Sequence, residues 1–174
     1  EAITAIASLR GMGIRTLMLS GDAEAVAAAI GQQAGVDEAR GGVQPEGKAA
    51  AIKALHAAGR VVGMIGDGIN DAPALAVADV GIAMGTGTDI AMETAGITLM
   101  RPDPRLVAAA IDISRATFGK IRQNLFWAFI YNLVGIPAAA LGYLSPALAG
   151  AAMAMSSVSV VCNSLLLRRW RPGK

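Results

Sequence analysis

Apolar and polar positions alternate between helical and strand rhythms in the N-terminal part of the chain, and long uncharged runs follow. Residues 1–12 repeat Ala, Ile and Leu at helical spacing, and Gly11 and Gly13 close the run. Residues 14–19 form a short apolar run that predicts a strand, and 23–34 an alanine-rich helix that Gly35 ends. A further helix is expected from about Gln44 to 58. Residues 61–65, Val-Val-Gly-Met-Ile, are apolar and bounded by glycine, as a buried parallel strand would be. Residues 71–78 and 89–95 predict short helices, and 80–84 and 97–100 strands. This βα alternation predicts an α/β domain, a parallel sheet with helices on both faces. Pro102 and Pro104 break the pattern, and a mixed helical segment with Arg115, Lys120 and Arg122 follows.

Residues 125–144 and 146–167 carry no charge, and each run is long enough to cross a hydrocarbon core of ~30 Å. A turn is expected at 142–146. Arg168, Arg169, Arg171 and Lys174 lie beyond the second run, so positive charge flanks both outer ends of this hairpin and not its turn. The bias places both ends in the cytoplasm and the turn outside. Trp127, Tyr143 and Trp170 suit interfacial positions. The competing reading is a helical pair in a soluble core.

Composition agrees with a membrane part: 54% of residues are hydrophobic, and a formal charge of +2 is too small to argue for a nucleic-acid partner. A single cysteine excludes an internal disulfide and any cysteine-only metal cluster. No signal-peptide pattern is visible. The chain opens at Glu1 in the middle of a helical pattern, which suggests a piece of a longer protein. His56, near Lys53 and Arg60, reads as a surface residue.

The candidate chemistry centres on Gly66-Asp67-Gly68-Ile69-Asn70-Asp71-Ala72-Pro73. These residues follow a predicted parallel strand, and open α/β sheets place ligands outside the C-terminal ends of their strands. Asp67 and Asp71 could offer oxygens to Mg²⁺, while Gly66 and Gly68 let backbone approach a phosphate. The alternative is a plain strand-to-helix loop with Asp71 as N-cap. Ser20-Gly21-Asp22 occupies a second strand-to-helix loop, fit either for holding an anion or for simple capping. Lys48 sits in the first turns of its helix, where the helix dipole disfavours a cation. It is a solvated lysine or a phosphate ligand. In the hairpin, Tyr131, Asn132, Ser156, Ser157, Ser159, Cys162 and Asn163 are polar at membrane depth, and Met153 and Met155 offer soft sulfur. Helix packing alone would explain several of these.

The Gly-Asp-Gly-x-Asn-Asp string, continued by Val80-Gly81-Ile82-Ala83-Met84-Gly85-Thr86-Gly87-Thr88-Asp89 and by Ala91-Met92-Glu93-Thr94-Ala95, resembles the hinge region of P-type ATPases. These enzymes belong to the haloacid-dehalogenase-like superfamily. The heavy-metal branch, and within it the copper exporters, is the most similar. The resemblance implies a partial haloacid-dehalogenase-like (Rossmann-type) domain followed by a helical transmembrane hairpin. Residues 1–104 would be the C-terminal portion of the cytoplasmic phosphorylation domain, 105–124 a connecting helix, 125–167 the hairpin and 168–174 a basic cytoplasmic tail.

The resemblance also implies roles. Ser20, Gly21, Asp22, Lys48, Asn70 and Asp71 would serve phosphoryl transfer, Lys48 through the family's Pro-x-x-Lys element. Gly66 and Gly68 would line the cofactor, Asp67 with Asp71 would hold Mg²⁺, and Asp71 would also pair with Lys48 and position it. Copper ATPases carry a Tyr-Asn pair and a Met-x-x-x-Ser pattern in this hairpin. Tyr131 and Asn132 match the first. Met153 with Ser157 matches the second, with Met155 and Ser159 as the alternative register. Zinc and cadmium members resemble a lysine-and-aspartate pattern that neither run contains. The implied function is ATP-driven export of Cu(I) or Ag(I) through an aspartyl-phosphate, with ATP and Mg²⁺ as cofactors. The implied setting is the plasma (inner) membrane. Lipid, the remaining domains of the parent and a copper chaperone are the expected partners. The Asp-Lys-Thr-Gly-Thr, Thr-Gly-Glu and Cys-Pro-Cys elements of the family do not occur in the sequence. This segment by itself is therefore expected to be inactive. A membrane-anchored phosphatase of the same superfamily, or a non-catalytic membrane-assembly module, are the other readings.

Overall fold

The structure, a computed structural model, describes residues 1–67, 69–85 and 89–171, with the side chains of Ile69 and Ala91 excepted. The chain divides into two compact units, Glu1–Ala108 and Ala109–Lys174.

The first unit alternates helix and strand: α1 (Ala2–Gly11), β1 (Leu17–Leu19), α2 (Glu24–Ala34), β2 (Glu38–Arg40), α3 (Pro45–Ala57), β3 (Gly63–Gly66), a 3₁₀ turn (Ile69–Asp71), α4 (Ala72–Val77), β4 (Val80–Met84), α5 (Asp89–Thr94) and β5 (Ile97–Leu99). All pairings are parallel, but they make two sheets where one was expected: β1 with β2, and β3-β4-β5. One edge of β1 and one edge of β3 therefore have no strand partner among the described residues. Strand β2 escapes sequence reading because Glu38-Ala39-Arg40 has neither apolar alternation nor a β-branched residue. Its pairing to β1 and the Glu38–Arg40 ion pair at 2.7 Å accompany its extended shape.

The core lies between α3, α4 and the three-stranded sheet. Ile52 and Leu75 are each 2% exposed, with Ala74, Ile82, Ala83 and Leu99 also buried. Helix α3 packs along α4, and α4 covers β3 and β4. The carboxyl ends of β1 and β3 lead into the Ser20 and Asp67 loops, so the fold puts both candidate loops at strand C-termini.

Two helices dominate the second unit. Helix α6 runs without interruption from Arg105 to Ala140 and begins in the first unit. The expected connecting helix and first hairpin helix are thus one element, because nothing between 123 and 125 breaks the backbone pattern. Gly142 (φ 77°) ends α6 in a left-handed cap in which Tyr143 N–H donates to the Ala138 carbonyl at 2.9 Å. Helix α7 (Pro146–Leu165) opens with Ser145 Oγ accepting from Leu148 N–H and Pro146 in the first turn, and continues as a 3₁₀ turn over Leu166–Arg169. Among the described residues one helical stretch, Pro146–Arg169, is long and apolar enough to cross a membrane. The apolar half of α6 is diluted by Tyr131 and Asn132 and stops short of Leu144.

Candidate functional site

Lys48 and Asp71 meet. Lys48 Nζ donates to Asp71 Oδ1 at 2.7 Å, with 17% and 12% of the two side chains exposed. Pro45 starts α3 so that Lys48 falls at the end of its first turn, with its N–H bonded to the Gln44 carbonyl. Asp71 stands at the head of α4, yet its side chain caps no helix N–H. Its second oxygen accepts from Asp67 N–H at 3.4 Å. Capping is therefore not what this carboxylate does. Both its oxygens are turned to these donors, which fits positioning Lys48 better than a share in a Mg²⁺ shell. Gly66 makes the arrangement possible: a Cβ there would lie 2.6 Å from Asp71 Cβ. Gly68, the other expected cofactor-lining glycine, lies outside the described residues, as do Thr86, Gly87 and Thr88.

Asp67 is exposed, and no hydrogen bond or ion pair engages its carboxylate among the described residues. Asn70 is also exposed, in the 3₁₀ turn. A carboxylate without a partner among the described residues, in the same loop as the aspartate that holds Lys48, fits a Mg²⁺–phosphate site whose remaining oxygen donors come from elsewhere. No group of three acidic, His or Cys side chains among the described residues could hold a metal ion alone.

In the other loop, Ser20 Oγ donates to Asp22 Oδ2 at 2.8 Å and accepts from Asp22 N–H at 3.2 Å. The residue preceding α2 is Ala23, so Ser20 does not cap that helix. Backbone bonds from Ser20 N–H to the Arg40 carbonyl and from Val43 N–H to the Ser20 carbonyl, both 2.9 Å, tie this loop to the segment entering α3. Glu24 accepts from Gly41 N–H at 2.7 Å and strengthens the tie. No hydrogen bond joins Ser20, Gly21 or Asp22 directly to Lys48 or Asp71 among the described residues.

In the second unit Tyr131 and Asn132 are neighbours on α6, and Asn132 Nδ2 donates to the Ala128 carbonyl at 3.1 Å. On α7, Ser157 Oγ donates to the Met153 carbonyl at 3.2 Å and Ser159 Oγ to the Met155 carbonyl at 2.8 Å, the back-bonding that hydroxyls adopt in apolar helices. Met153 is 74% and Met155 58% exposed. The two helices are joined elsewhere: Lys120 Nζ donates to Asn163 Oδ1 (2.9 Å), Asn163 Nδ2 to Asn124 Oδ1 (2.7 Å) and Asn124 Nδ2 to Ser164 Oγ (2.8 Å).

A family model for haloacid dehalogenase-like hydrolases matches residues 1–79. The probable copper-importing P-type ATPase A of Enterococcus hirae is 56% identical over 171 residues, covering 97% of this chain and 24% of that protein. A silver exporting P-type ATPase of Salmonella typhimurium is 54% identical over 177 residues, covering 98% of this chain and 22% of that protein. A crystal structure of a zinc-transporting PIB-type ATPase in the E2.Pi state superposes with a TM-score of 0.88 at 38% identity, covering 96% of this chain and 27% of the other. The chain is homologous to heavy-metal P-type ATPases. It spans about a quarter of the length of the relatives it matches.

Three features of this segment lie beyond what sequence reading had proposed. His56 is not a free surface side chain: its Nε2 lies 2.8 Å from Asp79 Oδ2, which also accepts from Val62 N–H at 2.8 Å. The Val62 N–H, with a smaller contribution from His56, holds the Asp79 carboxyl below its ordinary range. Trp170, expected at the membrane interface, donates its indole N–H to Asp112 at 2.8 Å. The Lys120–Asn163–Asn124–Ser164 chain joins α6 to α7. Only the spacing of Lys120 and Asn124, one turn apart, could have hinted at it.

Proposed function

We propose that this chain is the C-terminal part of an ATPase that exports Cu(I) or Ag(I) through an aspartyl-phosphate formed on an upstream segment. The observation that carries the reading is the Lys48–Asp71 pair at 2.7 Å, with Asp71 in one loop with an exposed Asp67 whose carboxylate has no partner among the described residues. Lys48, held in place by Asp71, neutralises phosphoryl oxygens, and Ser20 and Asn70 add hydrogen bonds to them. Asp67 holds Mg²⁺, which when bound offsets charge on the transferred phosphoryl group. These fixed charges stabilise a loose transition state without reorganising during transfer. The unpartnered edges of β1 and β3 support a further strand of the parent seated beside them, since exposed strand edges seek partners. Such a strand would deliver its own C-terminal end to the same loops.

The transported ion follows from the hairpin. One soft thioether with phenol and amide oxygens makes a weak, uncharged set, suited to releasing a soft monovalent ion. Asn163 and Ser164 face α6, because they bond Lys120 and Asn124. At 100° per residue, Tyr131 lies in line with Lys120 and Asn124 on α6. On α7, Met153 precedes Ser164 by three turns and shares its side, whereas Met155 points well away. This supports Tyr131, Asn132, Met153 and Ser157 over the register with Met155 and Ser159. Relatives named as importing and exporting both match, so the direction rests on the export reading itself. The first unit would lie in the cytoplasm and the hairpin in the plasma (inner) membrane, in contact with lipid, with a copper chaperone delivering the ion.

Metal-stimulated ATP hydrolysis by the intact protein tests the reading. Cu(I) or Ag(I) should stimulate it and Zn²⁺ should not. Lys48→Ala should lower the stimulated rate by about a hundredfold, the scale of losing one charge-stabilising donor. Stimulation by Zn²⁺ alone would refute the ion assignment.

A further inference from the structure

Lys48, Ile52 and His56 recur every fourth residue and form one stripe along α3. Each end of the stripe is tied to an aspartate: Lys48 Nζ to Asp71 Oδ1 at 2.7 Å and His56 Nε2 to Asp79 Oδ2 at 2.8 Å. The aspartates flank α4, Asp71 at its head and Asp79 just past its end. Eight residues separate the two members on each side, so the helices run in the same direction with matched rungs. Between the rungs, Ile52 is buried in the core that also contains Ala74 and Leu75 of α4. Asp79 also accepts from Val62 N–H, just before β3, the strand that leads to Asp67.

We propose that His56 and Asp79 are positioning residues for the phosphate site, setting the roll and tilt of α3 so that Lys48 points at Asp71. A lysine has a flexible four-carbon stem, and one ion pair at the front of a helix does not fix the axis that carries it. The His56–Asp79 rung fixes the other end. The shared carboxylate ties that end to the start of β3, so α3, α4 and the Asp67 strand are held as one frame. The proposal rests on Lys48 being a phosphoryl ligand. It goes further in making that role depend on a residue two turns away.

The test is inhibition of the intact ATPase by orthovanadate, a phosphate mimic, in His56→Leu, His56→Gln, Lys48→Met and the double variant His56→Leu/Lys48→Met. The His56 side chain is 32% exposed, so Leu or Gln there leaves the core intact. His56→Leu should raise the half-inhibiting vanadate concentration about two- to fivefold, the scale of losing one partly exposed side-chain hydrogen bond. His56→Gln, whose amide can donate in place of Nε2, should stay near wild type. In the Lys48→Met background, His56→Leu should add nothing, because the ligand it positions is gone. Unchanged inhibition in His56→Leu beside a weakened Lys48→Met overturns the proposal, and so does an equal further loss in the double variant. Unchanged inhibition in Lys48→Met refutes the phosphate role of Lys48 itself.

Discussion

At the residue scale, environment gives similar side chains different tasks. Asp67 and Asp71 stand four positions apart in one loop. Asp71 is 12% exposed at its side chain and committed to Lys48, while Asp67 is exposed, with no carboxylate partner among the described residues. The string Gly-Asp-Gly-x-Asn-Asp made both legible as candidates. The string alone does not separate their roles; the family resemblance paired Asp71 with Lys48, and the packing of α3 on α4 brings those two side chains together. Asp79 was invisible to motif reading, since one acidic residue between two short apolar elements carries no local signature. The methionines make a comparable pair. Metal-stimulated ATPase should be lost in Asn132→Ala and Met153→Leu and largely kept in Met155→Leu. Assays of the three variants side by side check this, and the reverse pattern for the methionines would shift the site to the Met155–Ser159 register.

At the element scale, the strong helical and strand periods found their elements: α1, α2, α3, β4 and β5 lie where the pattern puts them. Two features were not visible in the pattern, for separate reasons. Strand β2 is held by pairing rather than by its own residues, and α6 continues past 123 because helix propensity does not change where hydrophobicity does. Helix α3 depends on Ile52, 2% exposed, so Ile52→Ala should cost about 2–5 kcal/mol, read as a lower thermal midpoint. Acid should loosen the same unit. Thr16 backbone N–H and hydroxyl, with Arg10, hold Asp37 below its ordinary value, and Arg105 at the start of α6 takes Asp103 from 3.8 to about 2. Folded values below the unfolded ones mean that the stabilisation is present above the unfolded value and lost as protons bind. The thermal midpoint should therefore fall between about pH 4 and pH 2, and less steeply in Asp103→Asn.

At the scale of the whole molecule, the chain joins two units whose sequence logics differ, a βα alternation and a pair of long helices that carry uncharged runs. A change of pattern at the Arg101-Pro102-Asp103-Pro104 run was legible, because prolines and a change of period coincide there; the two units divide further on, after Ala108. The two-sheet arrangement was not, because the pairing of strand edges is a non-local property. If the hairpin spans the membrane, single cysteines at Ser145 and Arg171, in a Cys162→Ala background, should react with impermeant reagents from opposite sides. Reaction of both from the cytoplasmic side would mean that it does not span. The most direct measurement of the central claim is phosphoenzyme formation from radiolabelled ATP and Mg²⁺ by the intact protein. The account predicts a Cu(I)- or Ag(I)-dependent, alkali-labile phosphoenzyme that Asp67→Asn abolishes; wild-type labelling and turnover in Asp67→Asn would contradict it.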